Sequence, residues 1–250
     1  MPRGSPARAG RGVAGARTNL GSIRAVLFDA GATLLHPDPP VEEVYARELA
    51  ADGASISPDE LAGALANAWV QVRESGAADR YGGVRGEPEF WRAFLNRVRG
   101  ELDGGVVSES AFGRLASHFR NPSSWAVYPD VGPTLRRLEQ AGLRLAVVSN
   151  WDSHLPALLS ALELAPRFEA VLVSAIEETG KPDPEIFRRA CRRLAVASVE
   201  ALHVGDSLRE DYEGARAAGL AALLLDREGR HGSLPDRIET LTEVAARLGI

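Results

Sequence analysis

Apolar positions along the chain follow two rhythms. Residues 25–28, 143–148, 170–174, 201–204 and 221–225 are nearly continuous apolar runs bounded by small or polar residues. That pattern fits strands buried on both faces of a parallel sheet. Elsewhere apolar residues recur at helical spacing, which predicts helices over 41–51, 58–75, 88–102 and 109–119. Further helices are predicted over 131–141, 156–164 and 184–194, and a last one from about residue 238. Ser57 and Glu60 have capping-box spacing ahead of the second helix. Gly142 stands where a helix would close. Strands alternating with helices of this length imply an α/β fold with a doubly wound parallel sheet. Only helices are predicted between the first strand and the second, so that stretch reads as an insert.

The chain therefore divides into a tail over 1–22, an α/β core over 23–37 and 127–250, and a helical cap over 38–126. The tail is rich in Gly, Ala, Pro and Arg and has no acidic residue, so disorder is expected there. The Gly-rich run Tyr81-Gly82-Gly83-Val84-Arg85-Gly86 reads as a link between two cap helices. Trp69, Phe90, Trp91 and Phe94 lie at helical spacings that suit the cap's own core. Arg73, Arg80, Arg85 and Arg92 read as solvated surface.

Composition narrows the function. The 250 residues carry a net charge of −5, which gives no electrostatic case for nucleic acid or an anionic membrane. No apolar run reaches the length of a membrane span. Cys191 is the only cysteine, which excludes intrachain disulfides and multi-cysteine metal sites and suits a reducing, cytoplasmic setting. Among 29 basic residues Lys181 is the single lysine. A compact ammonium rather than a planar fork is what a tight charged site demands.

The first strand ends on Asp29, the second on Ser149 and the fourth on Asp206, while Lys181 follows the third. Carboxyl ends of parallel strands share one edge, so these groups converge there. By itself Asp29 reads as a nucleophile, a metal ligand, or the cap of the next turn. With Asp206 and Asp211 it brings three negative charges into a small space, which one ammonium and a hard divalent cation such as Mg²⁺ would offset. Ser149 and the backbone N–H groups after Asp29 and Ser149 can donate to an anionic substrate group. Asp29 can then attack phosphorus, so the constellation reads as a phosphoryl-transfer site for a small phosphorylated substrate.

These residues resemble the motifs of the haloacid dehalogenase (HAD) superfamily of hydrolases, in the branch with a helical cap inserted after the first strand. Asp29 and Thr33 match its first motif, Ser149 with Asn150 its second, Lys181-Pro182 its third, and Gly205-Asp206-Ser207 with Asp211 its fourth. The resemblance implies a Rossmann-like core, an aspartyl-phosphate intermediate on Asp29, and catalytic parts for Thr33, Ser149, Asn150 and Lys181. It also implies Mg²⁺ on Asp29, the Gly31 carbonyl, Asp206 and Asp211.

The chain departs from the pattern at Gly31, where most phosphatases of the family have a second Asp for proton transfer. Glycine cannot carry a proton, a contribution typically of about a hundredfold to ten-thousandfold. Gly31 is read as holding a backbone angle that aspartate tolerates poorly. Three readings follow: a Mg²⁺-dependent phosphatase acting on esters with good leaving groups, a 2-haloacid dehalogenase-like hydrolase, and a weakly catalytic regulatory or binding protein. Asp206 speaks against the dehalogenase, which in this family uses no Mg²⁺ and lacks that acid. His36 is read as a hinge residue, His203 as structural and Cys191 as packing.

Overall fold

The computed structural model describes residues 20–74, 81, 83–232 and 234–250. Most of the expected tail, together with Ser75, Arg80 and Gly82, lies outside the described residues, as does the side chain of Arg73. The chain enters through Ala25–Phe28 (β1) and turns back at once into Leu35–Pro37 (β2). Four helices follow, Val41–Ala50 (α1), Pro58–Glu74 (α2), Gly83–Leu102 (α3) and Glu109–Arg120 (α4). Trp125–Val127 (β3) then leads into Val131–Gln140 (α5), Arg144–Ser149 (β4) and Leu155–Ala161 (α6). Next come Ala170–Val173 (β5), the single turn Ser174–Glu177 (α7) and Pro184–Arg193 (α8). Ala201–Gly205 (β6), a wide π-type turn over Leu208–Glu213 and the short helix Gly214–Ala217 (α9) follow. Ala221–Leu225 (β7), Arg237–Ile238 (β8) and Glu243–Leu248 (α10) end the chain.

Six strands form one sheet in the order β5-β4-β1-β6-β7-β8, and every neighbouring pair is parallel. This is the doubly wound α/β architecture that the apolar runs predict. Side chains alternate along β1: Val26 and Phe28 enter one apolar cluster with Leu135, Leu138 and Leu158. Ala25 and Leu27 enter a second cluster with Ile186, Phe187 and Cys191 on the other face. Both faces are thus dry, which is why the strand reads as an unbroken apolar run. The four helices between β2 and β3 have a third cluster of their own, including Val44, Leu49, Leu61, Phe94 and Leu115. Trp69 packs on Phe94 at 4.6 Å and meets Trp91 edge-on at 5.8 Å. The aromatic stripe is packing. The capping box at α2 is present: the Ser57 N–H donates to Glu60 at 2.9 Å, and the Glu60 N–H donates to Ser57 Oγ at 3.3 Å.

Several elements differ from expectation. Helix α3 begins at Gly83, not residue 88, and contains Pro88. Gly and Pro read as breakers, but Pro88 stands in the second turn and forfeits a single intrahelical hydrogen bond, which the rest of this 20-residue helix outweighs. The Leu35–Pro37 stretch is a strand, paired antiparallel with Trp125–Val127, so the chain enters and leaves the helical insert through one two-stranded ribbon. Ile238 belongs to β8, and the last helix starts at Glu243. Strands of two or three residues show too little periodicity to be seen in sequence. No helix among the described residues is long and apolar enough to cross a membrane.

Candidate active site

The site is built on the carboxyl edge of β1, β4 and β6. Ladder register sets it, because Phe28 lies level with Val147 and Val204. Asp29 therefore leaves the sheet beside Ser149 and Asp206, and its N–H donates to the Val204 carbonyl at 2.9 Å. Its side chain is 10% exposed. Both hydrogen bonds to that side chain fall on Oδ1, from Ser149 Oγ at 2.8 Å and Lys181 Nζ at 2.5 Å. The same ammonium lies 2.5 Å from Asp211 Oδ1. One buried point charge therefore sits between two buried carboxylates, a place a planar guanidinium fits poorly.

Asp211 reaches back to the strand end from the π-type turn. Its Oδ1 accepts from His203 Nε2 at 2.8 Å and its Oδ2 from the Ser207 N–H at 2.9 Å. A β-carbon on Gly205 would stand 2.3 Å from Asp211 Cγ, so this fold-back requires glycine there. Asn150 grips the Lys181 backbone from both sides, Oδ1 accepting from its N–H at 2.7 Å and Nδ2 donating to its carbonyl at 2.8 Å. Asn150 Nδ2 also donates to the buried Glu210 at 2.9 Å. Asn150 thus positions Lys181.

Carboxylate oxygens of Asp29, Asp206 and Asp211 all lie within 4.8 Å of one another. Their titration reflects that crowding. Burial pushes the Asp29 carboxyl up, Lys181 opposes this, and Asp211 reinforces it. Burial, followed by the charges of Asp29 and Asp211, raises Asp206 to about 8. Burial also disfavours the charge on Asp211, but Lys181 and His203 outweigh it and hold the group well below the usual carboxylate range. Lys181 is held above its ordinary value, since Asp211 and Asp29 outweigh the desolvation of its ammonium. One lysine leaves the three acids under-neutralised, and a hard cation with oxygen ligands suits that donor set.

Thr33 stands apart from this cluster. It is fully buried, and its Oγ1 has no hydrogen-bond partner among the described residues. Its carbonyl accepts from Arg227 Nη2 at 3.0 Å, while Arg227 also donates to both Asp130 oxygens, at 2.9 and 3.0 Å. The Arg227 guanidinium lies 3.9 Å over Tyr128, whose ring is 4.7 Å from that of His36. His36 thus sits in the ribbon, against Tyr128. Arg227 ties the loop after Asp29 to the chain just beyond β3.

Gly31 also differs from expectation. It is not among the left-handed residues; that conformation falls on Ala32, at φ 54°. What crowds Gly31 is Trp151, whose Cζ3 would stand 3.1 Å from a β-carbon there. The insert meets the neighbouring residues: Tyr81 Oη donates to the Asn150 carbonyl at 3.3 Å and Trp91 Nε1 to Asp152 at 3.2 Å. Glu87 accepts from the Ser153 N–H at 2.6 Å and from its hydroxyl at 2.8 Å. Sequence reasoning missed His203, Glu210, Trp151 and Glu87 as parts of this region. The only local signal was their nearness to the motifs for the first three, and Glu87 had none.

Carboxylates, a serine and a lysine gathered at one edge of a doubly wound sheet place the chain among hydrolases built on such sheets. Residues 23–219 match the family of haloacid dehalogenase-like hydrolases, and the chain belongs to that family. It is 31% identical over 237 residues to haloacid dehalogenase-like hydrolase domain-containing protein 3 of Danio rerio, covering 90% of this chain and 96% of that one. It is 30% identical over 228 residues to the glyceraldehyde 3-phosphate phosphatase of Methanopyrus kandleri, covering 86% and 88%. Among solved structures it resembles a dehalogenase at 26% identity and a TM-score of 0.66, over 90% of this chain and 97% of that one.

Proposed function

We propose that the protein is a phosphatase acting on a small phosphorylated metabolite, with Asp29 as nucleophile and Mg²⁺ as cofactor. The observation that carries this reading is the asymmetry of Asp29. Ser149 and Lys181 hold its Oδ1, and Oδ2 takes neither bond. Oδ2 is then the atom that attacks phosphorus, giving an aspartyl phosphate that water hydrolyses. Ser149 and Lys181 fix the carboxylate and bind phosphoryl oxygens, Asn150 holds Lys181 in place, and Thr33 shapes the loop after Asp29. Asp29, the Gly31 carbonyl, Asp206 and Asp211 would hold the ion. Bound there, Mg²⁺ would neutralise the acids and the phosphoryl group together.

The helical insert, 38–126, acts as a cap over the core, 23–37 and 127–250, hinged at the β2–β3 ribbon. A cap of this kind selects the substrate and excludes water from the site. The lone buried cysteine and the acidic net charge suit a cytoplasmic enzyme without a nucleic-acid or membrane partner. The test is turnover on a panel of phosphate esters with and without Mg²⁺, in wild type and Asp29→Asn. Mg²⁺-dependent phosphate release by wild type and none by Asp29→Asn is expected. Halide release from 2-haloacids without Mg²⁺ would favour the dehalogenase reading instead, for which Gly31 and the Trp151 indole packed against it speak.

A further inference from the structure

In-line displacement from Asp29 puts the departing oxygen on the far side of phosphorus, away from the sheet and toward the insert. The groups along that exit decide which leaving groups can depart. Trp151 lies against the loop that follows Asp29, with Cζ3, Cη2 and Cε3 at 3.1, 3.9 and 4.0 Å from the place of a Gly31 β-carbon. The ring is fixed from two directions. Its own backbone N–H donates to Ser174 Oγ at 3.2 Å, and its carbonyl accepts from the Ala175 N–H at 3.3 Å. Its ring lies 5.0 Å from Trp125 of the β2–β3 ribbon, and Trp125 Nε1 in turn donates to the Phe119 carbonyl at 2.9 Å.

Among the described residues the titratable groups at this edge are committed elsewhere, Asp206 facing Asp29 and Asp211 in the acid cluster. Lys181 is shared between Asp29 and Asp211, His203 lies beneath Asp211, and His36 packs on Tyr128 in the ribbon. Among the described residues, the space beside Gly31 is taken by the Trp151 indole, and neither residue can deliver a proton to oxygen.

We propose that Trp151 sets leaving-group selectivity. On this view the substrates are phosphoryl donors whose leaving group departs as a flat, resonance-stabilised anion, an acyl or aryl phosphate, with the Trp151 ring against it. The inference rests on the phosphatase reading above. As Asp29 Oδ2 bonds to phosphorus, the bond to the leaving oxygen breaks. Its electron pair leaves with that oxygen as a carboxylate or phenolate, without a proton. Water then attacks the aspartyl phosphate, the electron pair of the broken bond returns to Asp29, and the water oxygen and both protons leave with inorganic phosphate.

The test is a double-mutant cycle of Gly31→Asp and Trp151→Ala. It is assayed with Mg²⁺ on acetyl phosphate, 4-nitrophenyl phosphate and glycerol phosphate, with thermal melting recorded for every variant. Wild type should favour the acyl and aryl esters over the alkyl ester by about a hundredfold or more, the size of a missing proton donor. Trp151→Ala should raise KM for the aryl ester about three- to tenfold with kcat little changed, and Trp151→Phe, which keeps a ring, should retain most of the affinity. Gly31→Asp alone should melt lower and gain nothing on glycerol phosphate. Joined to Trp151→Ala, it should recover in melting and raise the alkyl-to-aryl ratio at least about tenfold. An equal gain in Gly31→Asp alone, or an unchanged aryl KM in Trp151→Ala, overturns the proposal and leaves the phosphatase reading standing. If neither wild type nor any variant releases phosphate, both fall. The melting cycle reports the contact between the two side chains whatever the activity.

Discussion

The strand-end loops and the helical insert border the same space by different physical means. The loops bring charge: a lysine 2.5 Å from each of two carboxylates, with a third acid nearby, all placed by strand register. The insert brings rings and a few single hydrogen bonds with the loop 150–153, donated by Tyr81 and Trp91 and accepted by the Glu87 carboxylate. Buried charges tolerate almost no change, because removing one partner strands the other. Packed rings and single hydrogen bonds are each worth far less, so under the proposed function the insert is where substrate preference can drift while the chemistry stays fixed.

The contrast breaks most visibly at Lys181. Lys181→Met leaves Asp29 and Asp211 facing each other without a cation, and breaking such a buried pair costs about 3–5 kcal/mol. Urea unfolding should register that loss, and phosphate release should disappear. Lys181→Arg should keep the charge yet lose most turnover, because the fork exceeds the space between two acids. Near wild-type activity in the arginine variant would show that charge alone suffices.

The crowding of acids makes a pH prediction next in size. Asp206 titrates at about 8 in the folded chain against 3.8 for the free side chain, so the folded state retains a proton that the unfolded state releases. Its contribution to stability is complete below about 4 and is lost as pH rises through about 8. Asp29 is shifted the same way, while Asp211, held low, loses its contribution only below about 4. Melting of the metal-free protein should therefore fall between about pH 5 and about pH 8.5. Mg²⁺ should raise it more at the upper end, where the acids are ionised. Asp206→Asn should flatten both dependences; an unaltered Mg²⁺ response in that variant would remove Asp206 from the metal site.

On the insert side, Glu87→Gln weakens the double acceptance from Ser153. KM should rise by about tenfold, the value of one or two charge-assisted hydrogen bonds, with kcat and the melting of the core nearly unchanged. A large fall in kcat at constant KM would mean that Glu87 acts on the chemistry itself. The smallest effect belongs to Ala32, held at φ 54° in the loop after Asp29. Ala32→Gly relieves a conformation that disfavours a β-carbon and should stabilise by about 0.5–1 kcal/mol, read as a rise of a few degrees in melting. A fall instead would mean that the methyl group packs against something it needs.

Much of the charged half was legible before any coordinates. Each core strand is buried on both faces, so it reads as an apolar run, and the polar residue that ends the run lies on the shared edge. The same logic could not reach the other half. Trp151 over Gly31, Glu87 on Ser153 and His203 beneath Asp211 are contacts between residues with no periodic relation. Nearness to the motifs is the only local mark of Trp151 and His203, and Glu87 has none. The ribbon and β8 escaped for a different reason: three or two residues cannot display alternation, and His36-Pro37 looks like a break. Lys181 was legible through its rarity, a signal lent by a composition that otherwise uses arginine, and through its place after the third strand.

The central place of β1 also has a consequence for how the chain assembles. Ala25 pairs with Arg144 on one side and with Ala201 on the other. During synthesis the first strand therefore leaves the ribosome long before either neighbour exists, and the whole helical insert is made in between. The insert, with its own apolar cluster and mostly local contacts, can gather early. The strand that carries Asp29 cannot be paired on both sides, and keeps an exposed apolar edge, until its second partner has been translated. Placing Asp29 at the end of the earliest described strand makes the surrounding cluster among the last parts of the molecule to close.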